Sequence, residues 1–335
     1  MNPRERVIAA ISHQTPDKIP YEISLTWQER EIVDKYLHEN NLDLVFDNHI
    51  ITAGYCGNIK EVDGCPGYFK DEYGVLWNRN CADKEIGVID NLLLPEPDLK
   101  NYTFPAIDEQ SLRSIYSGLS EKSADQFVAG NISFTMFERA WSLRGMENLL
   151  MDMIENEEFV DELLDAILDI ELKIMKIAFE YPMDGFLFGD DWGQQKGLIM
   201  GPNYWRRFIK PRMKILYQYA KQNNKFVMQH SCGDIEEIFP DLIEIGLDVY
   251  QTFQPEIYDM KKIKEKYGEK LAFWGGISTQ RLLPFASPQE VRYVTRQTME
   301  IMGKGGGYIA APTHAVPCDV PTENIIAMLE VFNNQ

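Results

Sequence analysis

From residue 127 onward, short apolar runs alternate with long stretches of helical period. The runs Phe127 to Ala129, Gly185 to Phe188, Phe226 to Gln229, Val249 to Thr252, Leu271 to Phe273 and Tyr308 to Ala311 predict strands, because each is too short for a helix and mostly apolar, as in a sheet covered on both faces. Between the first two, Phe159, Leu163, Ile167, Ile170, Ile174 and Ile177 recur every three or four positions, predicting one long helix with Asn156 as its N-cap. A helix over Pro3 to His13, the turn Thr15-Pro16-Asp17-Lys18 and a strand entering at Ile19 precede this region. Strand and helix in strict alternation predict an α/β fold: a single (β/α)8 TIM barrel over residues 1–335 with an N-terminal helical segment. A doubly wound open sheet is the alternative.

Residues 54 to 94 break the rhythm. They are rich in glycine and aromatics (Gly67-Tyr68-Phe69, Glu72-Tyr73-Gly74-Val75-Leu76-Trp77), which predicts a β-hairpin insertion or lid, and Pro95, Pro97 and Pro105 mark the return to the main body. Charge narrows the partners. With 33 Lys+Arg against 52 Asp+Glu the net charge is −19, so a phosphate backbone would meet a repelling surface and nucleic acid is not an expected partner. No stretch approaches 18 consecutive apolar residues, so no membrane span is expected and the cytoplasm is the expected compartment. Five scattered cysteines do not make a secreted disulfide framework. Cys56, Cys65 and Cys81 lack paired ligand spacing and read as packed thiols, and Lys261, Lys262, Lys264 and Lys266 as a solvated helix face.

In a parallel barrel the chemistry lies where strands run into loops. Here those loops are polar: Gly189-Asp190-Asp191-Trp192-Gly193-Gln194, Gln229-His230-Ser231-Cys232-Gly233, Gln251-Thr252-Phe253-Gln254, Trp274-Gly275-Gly276 and Thr313-His314-Ala315-Val316-Pro317-Cys318. His230 and Cys232 are two apart, so at a strand end both side chains project to the same side, as a zinc ion accepting nitrogen and sulfur requires; a catalytic zinc needs a third protein ligand, for which His314 and Cys318 stand in the other Cys/His-rich stretch. The same spacing also suits a hydrogen-bonded histidine beside a packed thiol. Asp190 and Asp191 are candidates for acid–base work or for supporting a metal-bound histidine, or one of them caps a helix. Trp27, Trp192 and Trp274, with Gln194 and Gln254, would sandwich a flat ligand and bind its polar substituents.

The strings Pro3-Arg4-Glu5-Arg6, Gly189-Asp190-Asp191-Trp192-Gly193, His230-Ser231-Cys232-Gly233, Phe273-Trp274-Gly275-Gly276-Ile277 and Pro321-Thr322-Glu323-Asn324 together resemble the uroporphyrinogen decarboxylase superfamily nearly end to end. The resemblance implies a barrel with its site at the C-terminal mouth. True decarboxylases carry an arginine-containing segment near the N-terminus for a polycarboxylate substrate, whereas here the matching stretch, Tyr21 to Gln28, holds Glu22 and no arginine. The other branch, zinc-dependent methyltransferases that work with a corrinoid (cobalamin) protein, is similar in having His-x-Cys and a distant Cys. That resemblance implies zinc at His230 and Cys232, a corrinoid partner and a possible homodimer. In that branch the distant Cys stands about seven positions before the anchor proline; that register here is His314, with Cys318 on the same element, so His314 ranks slightly ahead as third ligand. The function implied is methyl transfer between a small substrate, an O-methyl aromatic ether being the sequence-based expectation, and the corrinoid protein. Decarboxylation of a porphyrinogen is the alternative.

Overall fold

The computed structural model describes residues 1–42, 45–54, 59–80 and 87–335; Cys56 and Cys81 lie outside them. Seven parallel strands, Ile50–Gly54, Phe127–Ile132, Gly185–Gly189, Phe226–His230, Val249–Phe253, Ala272–Ile277 and Tyr308–Pro312, form one curled sheet in which spatial order follows chain order. An open doubly wound sheet reverses direction at a switch point, and this one never does. The two edges of the sheet meet at one segment. Glu22 N donates to Ala310 O (3.0 Å) and Ala310 N to Pro20 O (2.9 Å), while His49 N, next to the first strand, donates to Tyr21 O (3.0 Å). The result is a TIM-barrel-like α/β architecture.

Six of the strands are those expected, each longer by one to three residues. Ile50–Gly54 was not: its Gly54 reads as the start of the insertion, yet it pairs with Asn131 so closely that a Cβ would fall on the Asn131 side chain. The helix Glu157–Ala178 buries all six residues of its expected stripe. Asn156 stands at its N-cap position without capping; its side-chain amide instead donates to Asp152 (2.9 Å). At the opposite end, the helix Pro3–Ile11 is closed by a capping box between Asn2 and Glu5. Its Val7 and Ile11 pack on Phe127, Met228, Val249 and Ile309, sealing the bottom of the sheet's concave interior. The C-terminal mouth is left for chemistry.

The 54–94 insertion is more than the expected hairpin. Lys60–Glu61, Tyr68–Lys70, Leu76–Asn78 and Val88–Ile89 make a four-stranded antiparallel sheet. It is fastened to the barrel by Arg139, whose guanidinium pairs with buried Asp71 (2.9 Å) and lies 3.9 Å from the Tyr73 ring centre. Trp77 packs edge-on against Phe134. Among the described residues no helix is long and apolar enough to cross a membrane.

His49 sits beneath Tyr21, ring centres 4.7 Å apart, with its Nδ1 buried and without a hydrogen-bond partner. Burial, reinforced by the Arg6 charge, pulls its imidazole down to about 4. In the unfolded chain a histidine titrates near 6.5, so between those values the unfolded state binds a proton that the folded state refuses, and stability falls as pH falls through that window. Wild type should therefore lose about 2–3 kcal/mol more than His49→Gln between pH 7 and pH 4 in urea denaturation. Parallel pH profiles for the two proteins would contradict this.

Candidate metal and substrate site

Strand register assembles the site. Gly185–Gly189 and Phe226–His230 pair so that Gly189 lies opposite His230. Asp191, two residues past the first, is therefore level with Cys232, two residues past the second. The two loops then run backbone against backbone: a Cβ on Gly193 would lie 2.6 Å from the Cys232 carbonyl oxygen, and one on Gly233, whose φ is +81°, 2.2 Å from the Gly193 carbonyl carbon. Only glycines permit this approach. Across it Cys232 N donates to Asp191 Oδ1 (2.7 Å), the same oxygen lies 3.4 Å from His230 Nε2, and Cys232 Sγ lies 3.7 Å from that nitrogen. One ligand atom from each of Asp191, His230 and Cys232 falls within 4.8 Å of the others.

The next strand orients the histidine. Gln251 pairs opposite His230, and its side-chain oxygen meets His230 Nδ1. An amide oxygen only accepts, so Nδ1 carries the proton and Nε2 faces Cys232 and Asp191, the tautomer a metal ligand needs. The charges are strongly coupled. Burial opposes ionisation of Asp191, but its bond to His230, the histidine's charge and the Cys232 backbone N–H outweigh it and hold the carboxyl below its usual range. Burial would likewise lower His230, and Asp191 and Cys232 raise it well above the ordinary value. Glu138, at the start of the helix Phe137–Arg144, stands against Asp191 and is raised well above the usual carboxyl range, first by burial and then by Asp191 and Asp190.

Deeper in the mouth lies a cavity of about 310 Å³, lined among others by Glu22, Thr52, Gln251 and Trp274, with no lysine or arginine among the described residues of its wall. Gln251 thus joins the cavity to the His–Cys–Asp cluster. Burial pushes Glu22 up to about 7, against its bond from Ser24.

The expected residues divide accordingly. Glu22 and Trp274 share the cavity; His230 and Cys232 meet as expected, with Asp191 beside them. His314 is exposed on the loop after Tyr308–Pro312, its ring centre 6.3 Å from that of His230, outside the tight cluster. Cys318 is exposed too, with Sγ 3.9 Å from Gln28 Oε1. Asp190, expected to be catalytic, is buried with both oxygens engaged: Oδ2 accepts from Phe137 N (2.9 Å) and Trp192 Nε1 (2.6 Å), and Oδ1 from Glu138 N (2.7 Å). It caps a helix from another strand's loop, because the local N-cap residue, Met136, has no side chain able to do so. Trp192 is fully buried, edge-on to Trp205, so it offers no face to a ligand. Gln254 accepts from Gly233 N (2.8 Å), holding the Cys232 loop, and Gln194 is exposed on the two-residue ladder Gly193–Gln194. Trp27 is 55% exposed at the head of the helix Trp27–Glu39 and does not line the cavity. The aromatic sandwich that favoured a methoxylated ring is thus not assembled. Glu138 is not among the residues the sequence singles out, although it follows an apolar run as the other mouth residues do, and Gln251 has no local signal because its partner, His230, is set by strand register.

A family model described as uroporphyrinogen decarboxylase (URO-D) matches residues 119–335. Comparison with curated proteins gives no match. Among solved structures, a methyltransferase from Methanosarcina mazei is similar over 100% of this chain and 99% of its own, with a TM-score of 0.72 at 17% identity. Dispersin B is similar over 95% of this chain and 99% of its own, with a TM-score of 0.44 at 10% identity.

Proposed function

The chain belongs to the uroporphyrinogen decarboxylase family, and from that premise we propose that it is a zinc-dependent methyltransferase moving a methyl group between a small molecule and a corrinoid carried by a partner protein. The observation that carries the proposal is the convergence of His230 Nε2, Cys232 Sγ and an Asp191 oxygen at the barrel mouth, beside a small cavity. The donor set fits the ion: nitrogen, sulfur and oxygen from three side chains, with a Gln251-fixed histidine, match a catalytic zinc that keeps one position for substrate. The activity named for the Methanosarcina mazei neighbour is carried over here as part of the proposal. Zinc held there would act as a Lewis acid, keeping a thiol as thiolate or polarising an ether oxygen, while the corrinoid supplies the methyl–cobalt chemistry.

The protein's own residues do the rest. His230, Cys232 and Asp191 would hold the metal, Gln251 keeps the His230 imidazole turned towards Cys232 and Asp191, and Asp190 and Gln254 fix the two loops that bear these residues. The cavity would hold a small substrate beside these residues, with Gln251 shared between the two. Porphyrinogen decarboxylation gains no support, since a polycarboxylate needs cations and the described residues of the cavity wall include none.

Elemental analysis tests the metal directly. About one zinc per chain is expected in wild type, lost in Asp191→Ala and retained in His314→Ala and Cys318→Ser. Zinc lost instead with His314→Ala or Cys318→Ser would make that residue the third ligand, through closure of the 313–320 loop. No zinc in any preparation, even after incubation with the ion, would overturn the proposal.

A further inference from the structure

The small cavity has a chemical sign. Among the described residues that line it, the one ionisable side chain is the Glu22 carboxylate. Among the described residues no cation pairs with Glu22; its hydrogen-bond donor is the neighbouring Ser24 hydroxyl. Towards the mouth His230 is already paired with Asp191 (3.4 Å), and Glu138 beside them is a further acid, so no cation there is left over for Glu22. Sequestering a carboxylate without a counter-charge is costly, and it is tolerated where a ligand completes the pair. A second observation points to the same occupant. Trp274 is only 3% exposed, lines the cavity, and its indole N–H has no hydrogen-bond partner. An indole beside a carboxylate attracts an organic cation through its ring, and its free N–H asks for one acceptor atom.

We propose that the small-molecule partner of this enzyme carries an ammonium group, bound by Glu22 and Trp274, together with an oxygen or sulfur acceptor for the indole N–H. The inference rests on the reading of the mouth as the substrate site, and it specifies the charge of the substrate, which that reading leaves open. The volume of about 310 Å³ sits at the small end of ligand pockets, so the ligand is compact. Anionic substrates are rejected by the same wall, because a second negative charge would face Glu22 with nothing to offset it.

Isostere titration calorimetry on the intact protein separates charge from shape. The probes are choline, its neutral isostere 3,3-dimethyl-1-butanol, and the anionic 3,3-dimethylbutanoate. Choline should bind at least about tenfold tighter than the neutral probe, and the anion weakest. Glu22→Gln should bring the choline-to-alcohol ratio close to one, and Trp274→Phe should weaken choline more than the alcohol. The wild-type ratio stands as a test even where a variant fails to fold. Equal binding of choline and the alcohol, tighter binding of the anion, an unchanged ratio in folded Glu22→Gln, or no binding of any probe at millimolar concentration would each overturn the inference. Because the readout is binding, it is separable from the methyltransfer proposal: a cation preference in a protein that neither binds zinc nor transfers methyl would leave this inference standing and remove the other.

Discussion

His230→Ala and Cys232→Ser are each expected to strip the protein of zinc and to lower methyl transfer by at least about a hundredfold, since even residues that only support a metal ligand cost ten- to a hundredfold when removed. The geometry explains why neither loss is absorbed locally. His230 Nε2 is aimed by its Nδ1 contact to Gln251, and Cys232 Sγ lies 3.7 Å away on a loop pinned by Gln254 and by the Gly193–Gly233 contact. Serine keeps the size of Cys232 but replaces a thiolate donor with a hydroxyl that stays protonated at neutral pH, so its failure would isolate the chemistry of sulfur from packing. Zinc content and methyl transfer to a reduced corrinoid, read on the same preparations, check the result. Full activity in Cys232→Ser would remove sulfur from the mechanism.

Asp190→Ala is expected to cost about 3–5 kcal/mol of stability, because it orphans two buried donors and one part-buried donor at once, each worth about 1–3 kcal/mol. Those donors are Phe137 N, Glu138 N and Trp192 Nε1, held at 2.9, 2.7 and 2.6 Å. Two belong to the first turn of the helix Phe137–Arg144, which has no side-chain cap of its own, and the third anchors a fully buried indole. Asp190→Asn should fall in between, as its single amide oxygen cannot accept all three and its NH2 group faces donors. Urea denaturation followed by tryptophan fluorescence measures the loss as a shift of midpoint at constant m. A cost below about 1 kcal/mol would mean that other acceptors take over these N–H groups.

Much of the architecture was legible because its signals are local. Period and run length along a few residues identify strands and helices, and the six expected strands all appear, as does the buried stripe of Glu157–Ala178. Ile50–Gly54 escaped because its glycine looks like the beginning of a loop until Asn131 is seen against it. The second strand pair of the insertion escaped because strands of two or three residues leave almost no periodicity.

The site divides along the same physical line. That His230 and Cys232 lie on one side could be read from the sequence, since a spacing of two at a strand end puts both side chains there whatever the rest of the chain does. The sequence also shows an acid, Glu22, and no arginine in the stretch Tyr21 to Gln28. Only the tertiary structure decided what joins them. Register sets Asp191 level with Cys232 and Gln251 opposite His230, and the contact of Gly193 with Gly233 brings the first pair to hydrogen-bonding distance. Asp190 and Asp191 are adjacent in sequence with the same chemistry, yet one is a helix cap sealed in the core and the other faces the cluster. That difference follows from which way each side chain turns relative to strands and a helix far away in the chain, and no local pattern carries it.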